Sequence, residues 1–182
     1  MGSKNIATIE TKRLNLISMT IECLQALVVG DYQQAHSAGG FVVAEDCSLL
    51  KDAWVGHQLQ MIEADVEQHP WMYRAIVRKS DNNLIGRISF HHKAPDPFFL
   101  EYSRYGAELG YTIEPLYRQQ GYATESVLAM MDWARKRNVE DFFLTISPQN
   151  RPSIQLAESI QYRKIGELMD ETDGIKYLYT AK

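Results

Sequence analysis

The stretch Glu108–Arg137, "ELGYTIEPLYRQQGYATESVLAMMDWARKR", decides how this chain folds. The segment "AELGYTI" reads as a short strand, and the basic turn "YRQQG" follows it. From Ala123 to Arg137, Val127, Met130, Met131 and Ala134 recur at helical spacing and form one apolar face. A helix that begins near Ala123 or Thr124 turns its unbonded N–H groups, and the positive end of its dipole, back toward the turn. Gly121 permits close backbone approach, so the amides from Gln119 to Ala123 can line a concave anion nest. Arg118 adds a cation suited to phosphate oxygens. The turn therefore reads as a cradle for phosphate or pyrophosphate. It is no P-loop and no dinucleotide fingerprint, because Gly-Lys-Ser/Thr and GxGxxG are both absent. Glycine ahead of a helix is common, and the weight comes from the flanking strand, the amphipathic helix and a second strand–helix unit downstream.

Working outward, "RLNLISM" (13–19) alternates as a first strand, and Thr20 is placed to cap a helix that Gly30 closes. Residues 31–48 read as irregular or briefly helical. Residues 49–69 form an acidic helical region that His69-Pro70 should stop. "WMYRAIVRK" (71–79) and "LIGRISFHH" (84–92) flank "SDNN" as a hairpin, and residues 93–106 form a long aromatic loop with two prolines. "DFFLTIS" (141–147) is a strand, "NRPSIQLAESI" (150–160) a helix with Pro152 near its first turn, and a second hairpin turns across "DETDG". The order is helices, an antiparallel meander, a strand–helix–strand–helix unit and a hairpin. It fits a mixed α/β class in a single domain, 1–182.

Composition bounds the function. The chain has 182 residues, 45% hydrophobic and 23% charged, with a net charge of -4. These values suit a globular protein with a real core and offer no overall basic field for nucleic acid. Cys23 and Cys47 are too few for a disulfide framework and lack metal-ligand spacing. No apolar run reaches the ~20 residues of a membrane span, and "MGSKNIATIE" lacks the apolar stretch of a secretory signal, so the cytoplasm is the expected compartment.

The loop and its surroundings resemble the GNAT superfamily of acyl-CoA N-acyltransferases, whose pyrophosphate loop, Arg/Gln-x-x-Gly-x-Gly/Ala, is matched by Arg118, Gly121 and Ala123. The resemblance extends to the branch like the RimJ/RimL ribosomal-protein N-acetyltransferases through "TKRLNL" from Thr11, "LIGRISF", "ELGY", "NRPS" at 150–153 and "QYRKIG" from Gln161. Gln161 departs from the usual glycine. The match implies a predominantly antiparallel central sheet flanked by helices, acetyl-CoA as cosubstrate without a metal, and an amine acceptor. It further implies cofactor contacts from Tyr111, Thr112 and Ile113 along the pantetheine arm. Arg118, Gln119, Gln120, Gly121, Tyr122, Ala123 and Thr124 would hold the pyrophosphate, with Asn150 and Ser153 near the arm and the sulfur.

Acyl transfer to an amine needs a base, since an α-amine is mostly protonated below ~8 and a lysine below ~10.4. Glu108 is the first candidate, on the strand that should hold the thioester and in phase with Gly110 and Thr112. Its alternative is a structural ion pair with Arg87 or Arg104. Ser153 is a candidate acid or cofactor contact, and Asn150 also fits a helix cap. Tyr162 reads better as core than as an acid. His91 or His92 could face the acceptor, and His91 is taken as substrate-binding; neighbours on a strand point oppositely, which argues against a shared metal. The acidic 45–67 region and the aromatic 95–105 loop would flank a cationic acceptor, either a peptide N-terminus or a small amine such as a polyamine or aminoglycoside. The same acid also fits a solvated helix face. A non-catalytic acyl-CoA sensor and a nucleic-acid module built on Arg118 and Arg135–Arg137 are rival readings. A monomer and a homodimer are both compatible with the sequence.

Overall fold

A computed structural model describes residues 6–170 and 174–181. Eight strands run in the order β1-β2-β3-β4-β5-β6-β8-β7, mostly antiparallel, and with the α-helices they give the mixed α/β class. The chain divides into two compact units, Met1–Ser89 with Tyr111–Met130, and Phe90–Gly110 with Met131–Lys182.

In the first unit β1 (Ile9–Glu10), β2 (Leu14–Ser18), β3 (Arg74–Arg78) and β4 (Asn83–Phe90, its last residue in the second unit) pair antiparallel in sequence. Leu14 and Leu16 are fully buried while their neighbours are half-exposed, as a two-residue period requires. Thr20 caps α1 (Ile21–Val29) by accepting the Cys23 N–H at 3.1 Å, and Gly30 ends it at φ 80°. Residues 32–39, read as irregular or briefly helical, form α2 (Tyr32–Gly39).

The acidic region departs from expectation. α3 (Ala53–Ala64) stops well before Pro70, because Asp65 adopts an extended conformation and accepts the Glu67 N–H at 3.0 Å. That local bond competes with continuing the helix. The chain then makes a 3-10 turn, Val66–Trp71, with Pro70 inside it. β3 begins at Arg74 rather than Trp71, and β4 ends at Phe90 rather than His92. Gly86 has a steric reason: a β-carbon there would stand 2.2 Å from the Thr112 carbonyl oxygen, which belongs to backbone and cannot swing away.

The second unit carries the first part of β5 (Gly106–Ile113), whose Gly106–Glu108 pairs parallel with Asp141–Phe143 of β6 (Asp141–Ile146). β8 (Gly174–Ala181) pairs antiparallel with both β6 and β7 (Tyr162–Asp170). The predicted turn "DETDG" falls partly on residues 171–173, outside the described residues. Phe99 stacks on Phe143 with ring centroids 4.5 Å apart, and Leu178 completes a small core. α5 (Arg151–Ser159) follows β6, with Pro152 in its first turn. In α4 (Tyr122–Arg135), Val127, Met130, Met131 and Ala134 are all buried, as their spacing requires.

Candidate functional site

The loop of the first unit starts where β5 ends. Pro115–Tyr117 makes a 3-10 turn, and Arg118 donates from Nε to the Ile113 carbonyl at 2.9 Å. Gln119 and Gly121 then take left-handed conformations, φ 60° and 78°, on either side of Gln120. Alternating backbone handedness turns successive N–H groups toward one side, which is the geometry of an anion nest. α4 begins at Tyr122, one residue ahead of the predicted start. Among the described residues, no acceptor is bonded to the backbone N–H groups of residues 119–124.

Two residues from outside the loop hold it. Arg13 donates from Nη1 to the Gln120 carbonyl at 2.8 Å and from Nε to the Glu125 carboxylate at 2.7 Å. Its backbone N–H donates to Glu125 at 2.8 Å, and the Thr11 hydroxyl does so at 2.6 Å. The Arg13 guanidinium also lies 4.4 Å over the Tyr122 ring. Burial pushes the Glu125 carboxyl up, but the bonds from Thr11 and Arg13 outweigh it and hold the group below its ordinary range. A β-carbon at Gly121 would stand 3.3 Å from Arg13 Nη2, so the loop keeps this approach open. Unbonded amides, Arg118 and a Glu125 neutralised by its cation suit a diphosphate. The residues present fit the group that the resemblance implies.

The second unit holds a different cluster. Glu108 on β5 is buried, and its carboxylate receives His91 Nδ1 at 2.8 Å. It is also bonded by the Thr145 hydroxyl from β6. Glu108 pairs with Phe143, so Thr145 is its diagonal neighbour across the parallel ladder, within reach of a long side chain. The His91 N–H donates to the Glu108 carbonyl at 3.0 Å, so residue 91 is tied to residue 108 twice. The ion pair weighed as the alternative for Glu108 had Arg87 as one possible partner, and Arg87 is engaged elsewhere, with Asp52 at 3.3 Å. Nearby, Asp96 accepts the Phe98 N–H at 3.0 Å, and burial pushes its carboxyl above the ordinary value.

Tyr111, Thr112 and Ile113 form the end of β5 in the first unit; the ladder to β6 ends before them, at Glu108. Asn150 caps α5 by accepting the Ser153 N–H at 3.3 Å, which is the capping alternative, and Ser153 sits in that first turn. Tyr162 is buried, with its hydroxyl 3.5 Å from Met131 Sδ and its pKa pushed up to about 12 by burial, as a core residue should be. His91 and His92 lie just beyond β4, and His92 packs against Phe98 at 5.4 Å. Among the described residues no group of three or more His, Cys, Asp or Glu could hold a metal, and no described helix is long and apolar enough to cross a membrane. Part of the acidic region is in structural use: Asp52 caps α3 through the Trp54 N–H, and Glu45 bonds Tyr32. Sequence reasoning gave no role to Thr145, Asp96, Arg13 or Glu125. An acid in the first turn of α4 was a usable signal for Glu125, but its partner more than a hundred residues away was not.

The family model described as an acetyltransferase (GNAT) domain matches residues 13–163. The chain belongs to the GNAT acetyltransferase family. The uncharacterized N-acetyltransferase p20 of Bacillus licheniformis is 26% identical over 168 residues, covering 90% of this chain and 86% of that protein. The uncharacterized N-acetyltransferase YnaD of Bacillus subtilis (strain 168) is 28% identical over 92 residues, so the match spans about half of each chain, 50% and 49%. The fold is shared with RimJ of Mycobacterium smegmatis, solved in complex with CoA-disulfide, at a TM-score of 0.63 and 14% identity over 96% of this chain and 87% of that one.

Proposed function

We propose that this GNAT enzyme transfers an acetyl group from acetyl-CoA to a primary amine, with a protein N-terminal α-amine as the first acceptor to test. The observation that carries the proposal is the turn at 119–124, with its unbonded amides, its two left-handed residues and Arg118. The likeness to a RimJ solved with a CoA derivative supports CoA as the ligand and the RimJ/RimL-like branch as the setting. Acetyl-CoA supplies an acetyl group on a thiol that leaves readily. The chain's own residues bind and move protons. Arg118 and the amides of 119–124 hold the diphosphate, and Tyr111–Ile113 align the pantetheine arm. Asn150 and Ser153 contact that arm, with Ser153 a candidate proton donor. Glu108, with its hydrogen-bonded partners, supplies the base. The family match crosses both compact units, which supports treating 1–182 as one working domain. Both buried thiols, Cys23 and Cys47, stay unbridged, as suits the cytoplasm.

The test is an assay of free thiol release over a panel of N-terminal peptides, spermidine and aminoglycosides. Amine-dependent release with a peptide preference supports the reading. Preference for a small amine redirects the acceptor, and coenzyme binding without release with any amine makes the protein an acyl-CoA sensor.

A further inference from the structure

Resting on the acetyl-transfer reading above, we propose that Arg13 is a positioning residue for the coenzyme: it holds the peptide between Gln120 and Gly121 so that the Gly121 N–H faces the diphosphate. The residues that carry this all lie within the first compact unit. Arg13 Nη1 donates to the Gln120 carbonyl at 2.8 Å. In a planar trans peptide the carbonyl and the next N–H point in opposite directions, so drawing the carbonyl to the guanidinium turns the Gly121 N–H away from it. The local sequence leaves that choice open. Gly121 stands at φ 78°, and glycine takes either sign of φ about equally, so the same peptide can reverse at little cost. Reversal would bring a carbonyl oxygen to the side of the amides, where it repels a phosphate oxygen that an N–H attracts.

The sheet fixes Arg13 in turn. Its carbonyl accepts the Lys79 N–H at 2.9 Å, just past the end of β3, and the Thr11 hydroxyl accepts the Leu14 N–H at 2.9 Å, closing the turn into β2. The register of β2 on β3 therefore sets where the guanidinium stands, 107 residues ahead of the carbonyl it holds. Arg13 and Thr11 also occupy Glu125. Oε1 receives the Thr11 hydroxyl and the Arg13 N–H, and Oε2 receives Arg13 Nε. Gly121 accepts the first bond of α4, from the Glu125 N–H at 3.1 Å, and so stands at the helix cap without the side-chain oxygen that Ser or Asp would lay on the amides. With the cap bare and the first-turn acid held by Arg13, the nest keeps its amides for an anion brought by the ligand.

The experiment measures coenzyme A binding by calorimetry in wild type, Arg13→Leu, Arg13→Lys, Glu125→Gln and the double variant Arg13→Leu/Glu125→Gln, with melting temperatures to show that each is folded. Arg13→Leu should lose about tenfold in affinity, the worth of one charge-assisted bond from an amide to phosphate. Arg13→Lys keeps the charge but not the fork that bonds Gln120 and Glu125 together, so it should lose nearly as much. It carries the test if Arg13→Leu does not fold. The double variant should bind no better than Arg13→Leu, because changing Glu125 does not turn the peptide. In turnover, KM for acetyl-CoA should rise by the same factor while kcat at saturation holds. Amide NMR should show the Gly121 N–H shifting on addition of coenzyme A in wild type and not in the Arg13 variants. Full affinity in Arg13→Lys, or recovery in the double variant, would mean that Arg13 acts through charge alone and overturns the assignment. So would a Gly121 amide in the wild type that coenzyme A leaves unmoved. A wild type that binds coenzyme A no better than the Arg13 variants overturns this inference alone; a wild type that does not bind it overturns the parent reading and this one with it.

Discussion

The loop at 118–125 and the cluster around Glu108 are built in opposite ways. The loop is nearly continuous in sequence: its left-handed residues, its cation and the helix start it feeds lie within one short stretch. The cluster is assembled from three separate segments, and its Thr145–Glu108 bond joins residues 37 apart. A site made of contiguous backbone is dictated by local rules, whereas one made of side chains across strands exists only once register is set. The two should fail differently. Damage to the cluster should slow turnover and leave coenzyme binding intact, while damage to the loop should do the reverse.

The largest separation is expected from Gly110→Ala. Its methyl would occupy the space of His91 Nε2, at 2.8 Å, and drive the ring away from Glu108. Misplacing a reacting group by about an ångström can cost on the order of 100-fold. We expect kcat to fall by that order with coenzyme affinity unchanged by calorimetry. An equal loss of affinity would mean that the two regions are not separable.

Arg118→Ala is the converse. Losing one charge-assisted contact to a diphosphate is worth about 1.5–3 kcal/mol, so coenzyme affinity should fall roughly tenfold or more. The pH-rate profile should keep its shape. A changed profile with unchanged affinity would move Arg118 out of the diphosphate site.

How much of this was legible beforehand follows from the same division. Caps and turns declare themselves locally: Thr20 and Gly30 bracket α1, and Asn150 caps α5. The buried positions of α4 follow from their spacing. In the acidic region Pro70 is the conspicuous helix stop in the sequence, but Asp65, with a side-chain bond to the Glu67 N–H, ends the helix earlier. Glu108 was visible as a candidate, but its partner was sought among arginines. Only the strand register places His91 and Thr145 beside it.

A smaller effect tests how the loop is held. Glu125 is folded with a depressed pKa, so its contribution is complete above the unfolded carboxyl value near 4.5 and is lost as pH falls through the lower folded value. Below that window the carboxyl protonates and Arg13 loses its anchor. A partly exposed ion pair contributes ~1 kcal/mol or less, so Glu125→Gln should weaken coenzyme binding at most severalfold at neutral pH. The variant's folding stability should also fall less steeply than the wild type's as the pH drops below the ordinary carboxyl value of 4.5. Equal acid slopes in the two proteins would show that the Arg13–Glu125 pair does not hold the loop.

The smallest effect is the most discriminating for proton donation. Tyr162→Phe removes a hydroxyl whose partner is a thioether sulfur at 3.5 Å, a weak acceptor. The ring stays buried beside Met131, so packing is preserved and the stability change should be below about 0.5 kcal/mol. Burial holds the phenol near 12, which disfavours the phenolate that a proton donor must form and refill each turnover. Turnover should therefore stay within twofold of wild type, with an unaltered basic limb. If instead kcat falls tenfold or more while the melting temperature holds, Tyr162 donates the proton to the leaving sulfur. The core around α4 would then be part of the chemistry, and the division drawn between a binding loop and a proton-handling cluster would have to be redrawn to include it.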